Sequence, residues 1–559
     1  MGSIIQLAVS LVGVFVLARF GYQFRRIYLR SQVTTIPSIF FLFGTPLRFF
    51  VPNIPLINPI NRTHWAVRFE RYRQIQSSVF KTETPSKEHS SIWLADKMAI
   101  KTVSTNRKSW AKPIQLYRVL DLFGKNLVTT EGPEWKAHRR IVGPSFSEGV
   151  YKRVWNTSLV ALEQMFQTEG LADLKPGEEI QIEDVTHVTM RLALVVIARE
   201  AFSFDMEYDS KRDTNAKSLA GDHTMSAADA LAVVSQSTLV KVLCPNWMYK
   251  IPNIPYVSER LAKIKDAFTN LDNYMLEMMA DRRASSLAGE EVRSDLFDSL
   301  WRAADDNLDK QVDGETKWSF SDREVVGNTF IFLLAGHETN GHSRFSFLPP
   351  TVKYPLVVFT DGRLFFQQSL HPEKQVELLE HILTVLPRGR QPIYEDFQKL
   401  THTMAVLYET LRLFPAVAVI PKVSTEDTTL KYQDIGGDNG IKTIFVPKGT
   451  DVTIDTPALH TNPLYWKDPL SFKPERFLED YEKDAFIPFS AGPRACVGRR
   501  FAEVSNMVFL SLVVRDYEVV AIPRPGETEE AMRDRLVRAK PVLTLTPCGA
   551  VDLMFKRRA

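Results

Sequence analysis

Only three cysteines occur in 559 residues, Cys244, Cys496 and Cys548, far apart and without CxxC spacing. Their odd number and separation speak against a disulfide framework and against a cysteine-built zinc site, and fit a reducing compartment. Excess charge of one sign is also missing. Lys plus Arg (69) nearly balance Asp plus Glu (66), and no basic block stands out, which argues against a nucleic-acid partner. Internal repeats and low-complexity linkers are absent as well. What remains is the composition of a folded chain, 44% hydrophobic and 24% charged, able to bury a large core.

One local absence is informative. Residues 1–18 carry no charged side chain, no Asp or Glu precedes Glu70, and Arg19, Arg25, Arg26 and Arg30 follow the apolar run. A secretory signal would place its positive charge before the run. The order here reads as a single-pass anchor over residues 1–30, with the bulk of the chain on the cytosolic side. The plainer alternative, a buried core helix, would have to sit at the extreme terminus. Residues 31–64 are a proline-rich apolar connection (Pro37, Pro46, Pro52, Pro55, Pro59), expected to lie against the membrane. From 65 to 550 the chain reads as one large, mainly helical domain with small sheets. Helical spacing covers 65–80, 134–168, 185–203, 257–284, 321–343, 371–386, 394–413 and 496–514, while β-like runs are confined to 442–455, 517–522 and 542–547.

The residues with chemical potential are few. In "FSAGPRACVG" (489–498) Cys496 sits in a turn with Gly492, Pro493 and Gly498, and Arg494 two residues before the sulfur. Neighbouring N–H groups and a cation would lower the thiol pKa, as a reactive nucleophile or lone metal ligand requires. An inert buried thiol is the commoner fate of a single cysteine. "ETLR" places Glu409 and Arg412 at i, i+3 on a helix that stops at Pro415, and Arg476 of "FKPERF" could join them. In "SDREVVGNTFIFLLAGHETNGH" Ser321 and Glu324 form a capping box ahead of an apolar helix about 27 Å long by Thr339, at 1.5 Å per residue.

Phe489, Gly492, Arg494, Cys496 and Gly498 in FxxGxRxCxG spacing, Glu409xxArg412, "PERF" and "AGHET" stand in an order that resembles the cytochrome P450 family, in the style of its membrane-anchored, fungal members of the endoplasmic reticulum. The resemblance covers about residues 60–550. It implies haem b with Cys496 as the axial iron ligand, and a monooxygenase that inserts one atom of dioxygen into a lipophilic small molecule. Trp135 and Arg139 of "WKAHR", together with Arg494, would hold the haem propionates, and Phe489 and Gly498 would frame the sulfur. Lys422 stands where many relatives have an arginine, keeping the charge but losing the planar fork. Gly336 would leave space for dioxygen, and Glu338 and Thr339 would deliver protons. Glu409, Arg412 and Arg476 would be structural. The chain has no flavin or nicotinamide fingerprint, so electrons would come from NADPH-cytochrome P450 reductase, with cytochrome b5 a possible second donor. Lys136, Arg139, Arg140, Arg499 and Arg500 would form its basic docking face.

The pattern breaks after Thr339. Residues 344–370, "RFSFLPPTVKYPLVVFTDGRLFFQQSL", contain Pro349, Pro350, Pro355, Asp361 and Gly362, which are expected to prevent helical continuation. A translated intron would explain the stretch. Two other readings follow from these features: a catalytically inactive haem-binding or haem-free protein, or a reductase-independent enzyme that rearranges peroxides, which the Glu338–Thr339 pair disfavours.

Overall fold

The computed structural model describes residues 14, 18, 21–22, 35–37, 64–83, 90–204, 206–208, 223–244, 257–289, 295–305, 319–338, 361–435, 440–541, 545–547 and 550–559. These fall into two compact units, each discontinuous in sequence. The smaller comprises 1–113, 417–471 and 482–495, and the larger 114–416, 472–481 and 496–559.

The smaller unit is built on a six-stranded sheet in the order Thr35–Pro37, Val79–Glu83, Ser90–Leu94, Asp451–Asp455, Val419–Ser424, Trp110–Ala111. The first and third pairings are parallel and the others antiparallel. A hairpin of Thr428–Gln433 and Ile441–Val446 stands beside it as a separate two-stranded sheet. Phe69, Tyr72, Phe80, Trp93, Ala95 and Ala458 form a core cluster in which Phe80 stacks on Trp93 with ring centroids 5.9 Å apart. Aromatic residues suit the half-buried pleat and supply large apolar area.

Asp455 lies in that core, 4% exposed. Its carboxylate caps the short helix Thr456–His460 by accepting from the Ala458 amide (3.2 Å), and it accepts a hydrogen bond from the Tyr72 hydroxyl (3.1 Å). Burial outweighs these bonds and pushes the Asp455 pKa up to about 7. A raised carboxyl pKa means that the folded state holds its proton more tightly than the unfolded state. The associated stabilisation is present below the ordinary carboxylate pKa and is lost as pH rises through about 7. At 1.36 kcal/mol per pH unit the window is worth about 4 kcal/mol. Urea unfolding should therefore show stability falling between pH 5 and pH 8, with a flatter profile in Asp455→Asn, which keeps the cap and the acceptor; equal slopes would refute this.

The larger unit is helical. Its long helices are Gly132–Val142, Glu148–Thr168, Val185–Phe202, Ala227–Leu243, Val257–Leu287, Leu296–Asp305, Asp322–Glu338, Asp361–Leu370, Pro372–Val385, Thr401–Leu413 and Arg499–Asp516. Val185–Phe202 and Arg499–Asp516 are buried along nearly their whole length, polar residues such as Thr189, Asn506 and Ser511 included. A three-stranded sheet, Tyr517–Ala521, Leu553–Arg557 and Glu179–Ile182, joins distant parts of the chain.

Several sequence expectations are corrected. The span 65–80 is two short helices, His64–Val67 and Glu70–Gln74, followed by strand Val79–Glu83. The span 134–168 is broken around Gly143 and Pro144, where the chain passes through a 3₁₀ turn. Strands are not confined to the three expected runs, because the sheet of the smaller unit recruits segments such as Ser90–Leu94 that carry little alternation. Asp361–Leu370 is a helix, with Phe365, Gln367, Gln368 and Leu370 buried, although Asp361 and Gly362 were expected to oppose helical structure here. Asp361 and Gly362 begin this helix rather than interrupt one. Residues 339–360 lie outside the described residues.

Candidate functional site

The apolar helix Asp322–Glu338 starts as its sequence directs. The Ser321 amide donates to Glu324 Oε2 (2.9 Å) and the Glu324 amide donates to Ser321 Oγ (3.3 Å), closing the capping box. Val325, Val326, Phe330, Ile331 and Leu334 are buried along it, as are Asn328 and Thr329. Gly124 takes φ +140°, and a Cβ there would stand 2.0 Å from the Arg323 carbonyl; a Cβ on Gly327 would stand 2.4 Å from the Gly124 carbonyl. Loop and helix therefore meet backbone to backbone.

Gly336 stands at the far end of the same helix. A Cβ there would lie 2.7 Å from Ile197 Cγ1, on the neighbouring helix Val185–Phe202. The missing side chain thus admits a packed helix, a use the sequence reading did not foresee. Alanine elsewhere in a helix gains about 0.5–1 kcal/mol over glycine, but overpacking costs about 1–3 kcal/mol. Gly336→Ala is expected to destabilise, and Ile197→Ala combined with it to recover part of the loss; additive effects in a double-mutant cycle would contradict the contact. Glu338 is the last described residue of the helix; its side chain and all of Thr339 lie outside the described residues.

Cys496 lies in the larger unit, in the turn before helix Arg499–Asp516. It is exposed, yet crowded by protein: desolvation pushes its pKa up, while a hydrogen bond from the Gly498 amide and the positive charges of Arg139 and Arg499 pull it down. The cations acting on the thiol are Arg139 and Arg499 rather than the expected Arg494, and crowding outweighs them, a correction to the sequence reading. Beside the sulfur Gly498 leaves room, since a Cβ there would meet nothing nearer than Phe146 Cε1 at 3.9 Å. Trp135, 5% exposed, and half-buried Arg139 project from the helix Gly132–Val142. A flat, anionic group with a thiol-seeking metal fits this set: an accessible sulfur, a backbone donor, a nearby guanidinium and room beside a glycine.

Glu409 and Arg412 have fully buried side chains. Arg412 Nε and Nη2 donate to the two carboxylate oxygens of Glu409 at 2.6 and 2.8 Å. Arg476 Nε adds a bond of 3.2 Å to Oε1 and the Lys473 amide one of 2.7 Å. The bidentate geometry and the additional donors are what a buried ion pair needs to offset its desolvation. Helix Thr401–Leu413 is in this way fastened to the "PERF" turn, Pro474–Phe477.

Phe489, Arg494 and Lys422 belong to the smaller unit. Lys422 is 6% exposed on the central sheet, opposite Val452; Phe489 and Arg494 are half-buried. Of the expected docking cations, Lys136 and Arg140 are exposed on the Trp135 helix. Arg499 is already held by Glu503 (2.7 Å) and the Tyr408 hydroxyl (2.9 Å), and Arg500 lies 3.8 Å over the Phe397 ring. The sequence reading missed His138 and Asn328. His138 is fully buried, and Asn328 accepts from the Leu127 amide at 2.9 Å. A polar Asn inside an otherwise apolar helix was the available signal.

A helical unit carrying an exposed cysteine, a long apolar helix and a buried Glu–Arg pair agrees with what the resemblance to haem-thiolate enzymes implies. The Cytochrome P450 family model matches residues 49–357 and 364–546, and the chain belongs to that family. It is an oxidoreductase, a cytochrome P450 monooxygenase with haem as its cofactor. It is 36% identical to Cytochrome P450 monooxygenase 124 of Postia placenta, across 94% of this chain and 95% of the relative. It is 24% identical to Cytochrome P450 3A41 of Mus musculus over 74% and 72% of the two chains. The fold resembles the crystal structure of the cytochrome P450DA heme domain, with TM-score 0.66 and 21% identity, covering 95% of this chain and 99% of that one. Only 358–363 separates the two matched segments, and the described helix Asp361–Leu370 begins within that gap.

Proposed function

We propose that this enzyme hydroxylates a lipophilic small molecule with electrons passed from NADPH by NADPH-cytochrome P450 reductase, assisted by cytochrome b5. The observation that carries the reading is the exposed Cys496, hydrogen-bonded by the Gly498 amide and near the charge of Arg139. Haem, when bound, supplies the iron on which dioxygen is activated. Cys496 would hold that iron through its sulfur, and the Gly498 amide and Arg139 would stabilise negative charge on it. Trp135 and Arg139, on the helix Gly132–Val142 of the larger unit, would hold a propionate, the role that the family pattern also gives to Arg494 and Lys422. Glu338 and the Thr339 hydroxyl would supply protons for the reduction of dioxygen, and the apolar helix would keep bulk water out. Glu409, Arg412 and Arg476 fix the segment that leads to the cysteine turn.

Residues 1–30 would tether the enzyme to the endoplasmic reticulum membrane, and the apolar stretch 243–257 would admit substrate from the bilayer. Among the described residues no helix is long and apolar enough to cross a membrane. Most of 1–30 and of 243–257 lies outside those residues. The reaction is tested by turnover of lipophilic substrates under ¹⁸O₂ with NADPH and reductase, where one labelled atom per product is expected. Product formed from a peroxide without reductase, or free of label, would overturn the reading.

A further inference from the structure

We infer that Glu134, His138 and Glu324 form a site for a divalent transition-metal cation, with zinc as its best occupant, separate from the haem ligand Cys496. Glu134 and His138 stand at i, i+4 on the Trp135 helix and so share a face, and Glu324 comes from the first turn of the apolar helix. One donor atom from each lies within 4.8 Å of the other two.

The second observation is His138 itself. Its ring is fully buried against Phe320, centroids 4.5 Å apart, and Nε2 makes no hydrogen bond. A buried polar atom in that state calls for a ligand. Nε2 stands 3.4 Å from Glu324 Oε1, too long for a good hydrogen bond. Two ligands each about 2.0–2.1 Å from a tetrahedral zinc ion stand about 3.4 Å apart, which is the separation found. Glu324 Oε2 is committed to Ser321, so Oε1 is the oxygen turned toward the imidazole.

The surroundings fit a metal-ligating histidine. Asn328 faces Nδ1 with both ends of its amide, Oδ1 at 3.3 Å and Nδ2 at 3.1 Å, so the ring can hold either tautomer. With Nδ1–H given to Oδ1, the Nε2 lone pair is open to a cation, the orienting arrangement that metal-bound histidines use. One nitrogen and two carboxylate oxygens suit zinc, or nickel and cobalt, rather than calcium or magnesium, which take oxygen ligands. An open recess lined by Lys125, Glu134, Ser321, Arg323 and Glu324 gives access and leaves a position for water. Lys125 Nζ now lies 2.8 Å from Glu134 Oε1 and competes with a cation; being 61% exposed, it can swing away. Glu134 closes the remaining distance by rotating about its own side chain. Occupied, the site clamps the helix bearing Trp135 and Arg139 to the start of the apolar helix.

The test uses the full haem-loaded chain, dialysed against buffered zinc sulfate, with zinc and iron per chain measured by plasma emission. The inference predicts one zinc per haem beyond that retained by Glu134→Gln and by His138→Gln, with iron content reporting that each variant is folded. Glu134→Gln alters a half-exposed side chain, so it keeps the test valid should His138→Gln fail to fold. Lys125→Ala removes the competing cation and is expected to bind zinc several-fold more tightly. Equal zinc in the wild type and Glu134→Gln, or weaker retention by Lys125→Ala, would overturn the site.

Discussion

Glu409→Ala is expected to leave little folded, haem-containing protein. The substitution strands Arg412, whose side chain is fully buried, and removes the acceptor for Arg476 and the Lys473 amide. Breaking one side of a buried pair costs about 3–5 kcal/mol, comparable with the total stability of many domains, about 5–15 kcal/mol. Glu409→Gln keeps one carbonyl acceptor and the shape but loses the charge, and should fall between wild type and alanine. Arg476→Ala, at a 3.2 Å contact with a partly exposed side chain, should be milder than Arg412→Ala. Urea midpoints and haem content of the purified variants check the order; indifference of both to Glu409→Ala would show that the pair is dispensable.

Cys496→Ser carries the second large effect. Serine preserves the turn and nearly the size, but its hydroxyl is not deprotonated as a thiol is and gives iron a harder, weaker donor. NADPH-driven hydroxylation is expected to fall below detection while circular dichroism stays close to wild type, since serine keeps the turn and nearly the size of the side chain. Cys244→Ser, half-buried at the end of helix Ala227–Leu243, should leave turnover intact. Turnover surviving Cys496→Ser would remove Cys496 from the reaction.

How far the chain could be read in advance differed by region. The apolar helix was legible because its cap and its hydrophobic run are local: Ser321, Glu324 and the stretch from Val325 to Leu334 need no distant partner. The Glu409–Arg412 pair was legible as spacing, but its burial was not, since i, i+3 pairs occur on surfaces far more often. The sheet of the smaller unit was largely missed. Its strands come from 35–37, 79–111 and 419–455, and pairings such as Ser91 with Asp451 exist only once the chain has closed. Gly336 illustrates the same limit: the sequence reports a missing side chain, but that Ile197 occupies the space depends on a helix about 140 residues earlier. Helix Asp361–Leu370 was hidden by its own start signals, Asp361 and Gly362, which read as a turn when seen after Pro349, Pro350 and Pro355.

The most direct measurement of the central claim, that Cys496 of this chain holds haem iron as a thiolate, is the carbon-monoxide difference spectrum of dithionite-reduced membranes containing the unaltered chain. A second sample would carry Cys496→Ser. The account predicts a thiolate-type Soret band from the first and its absence from the second. A haem spectrum without that band from the unaltered chain, or an identical band from both, would contradict it.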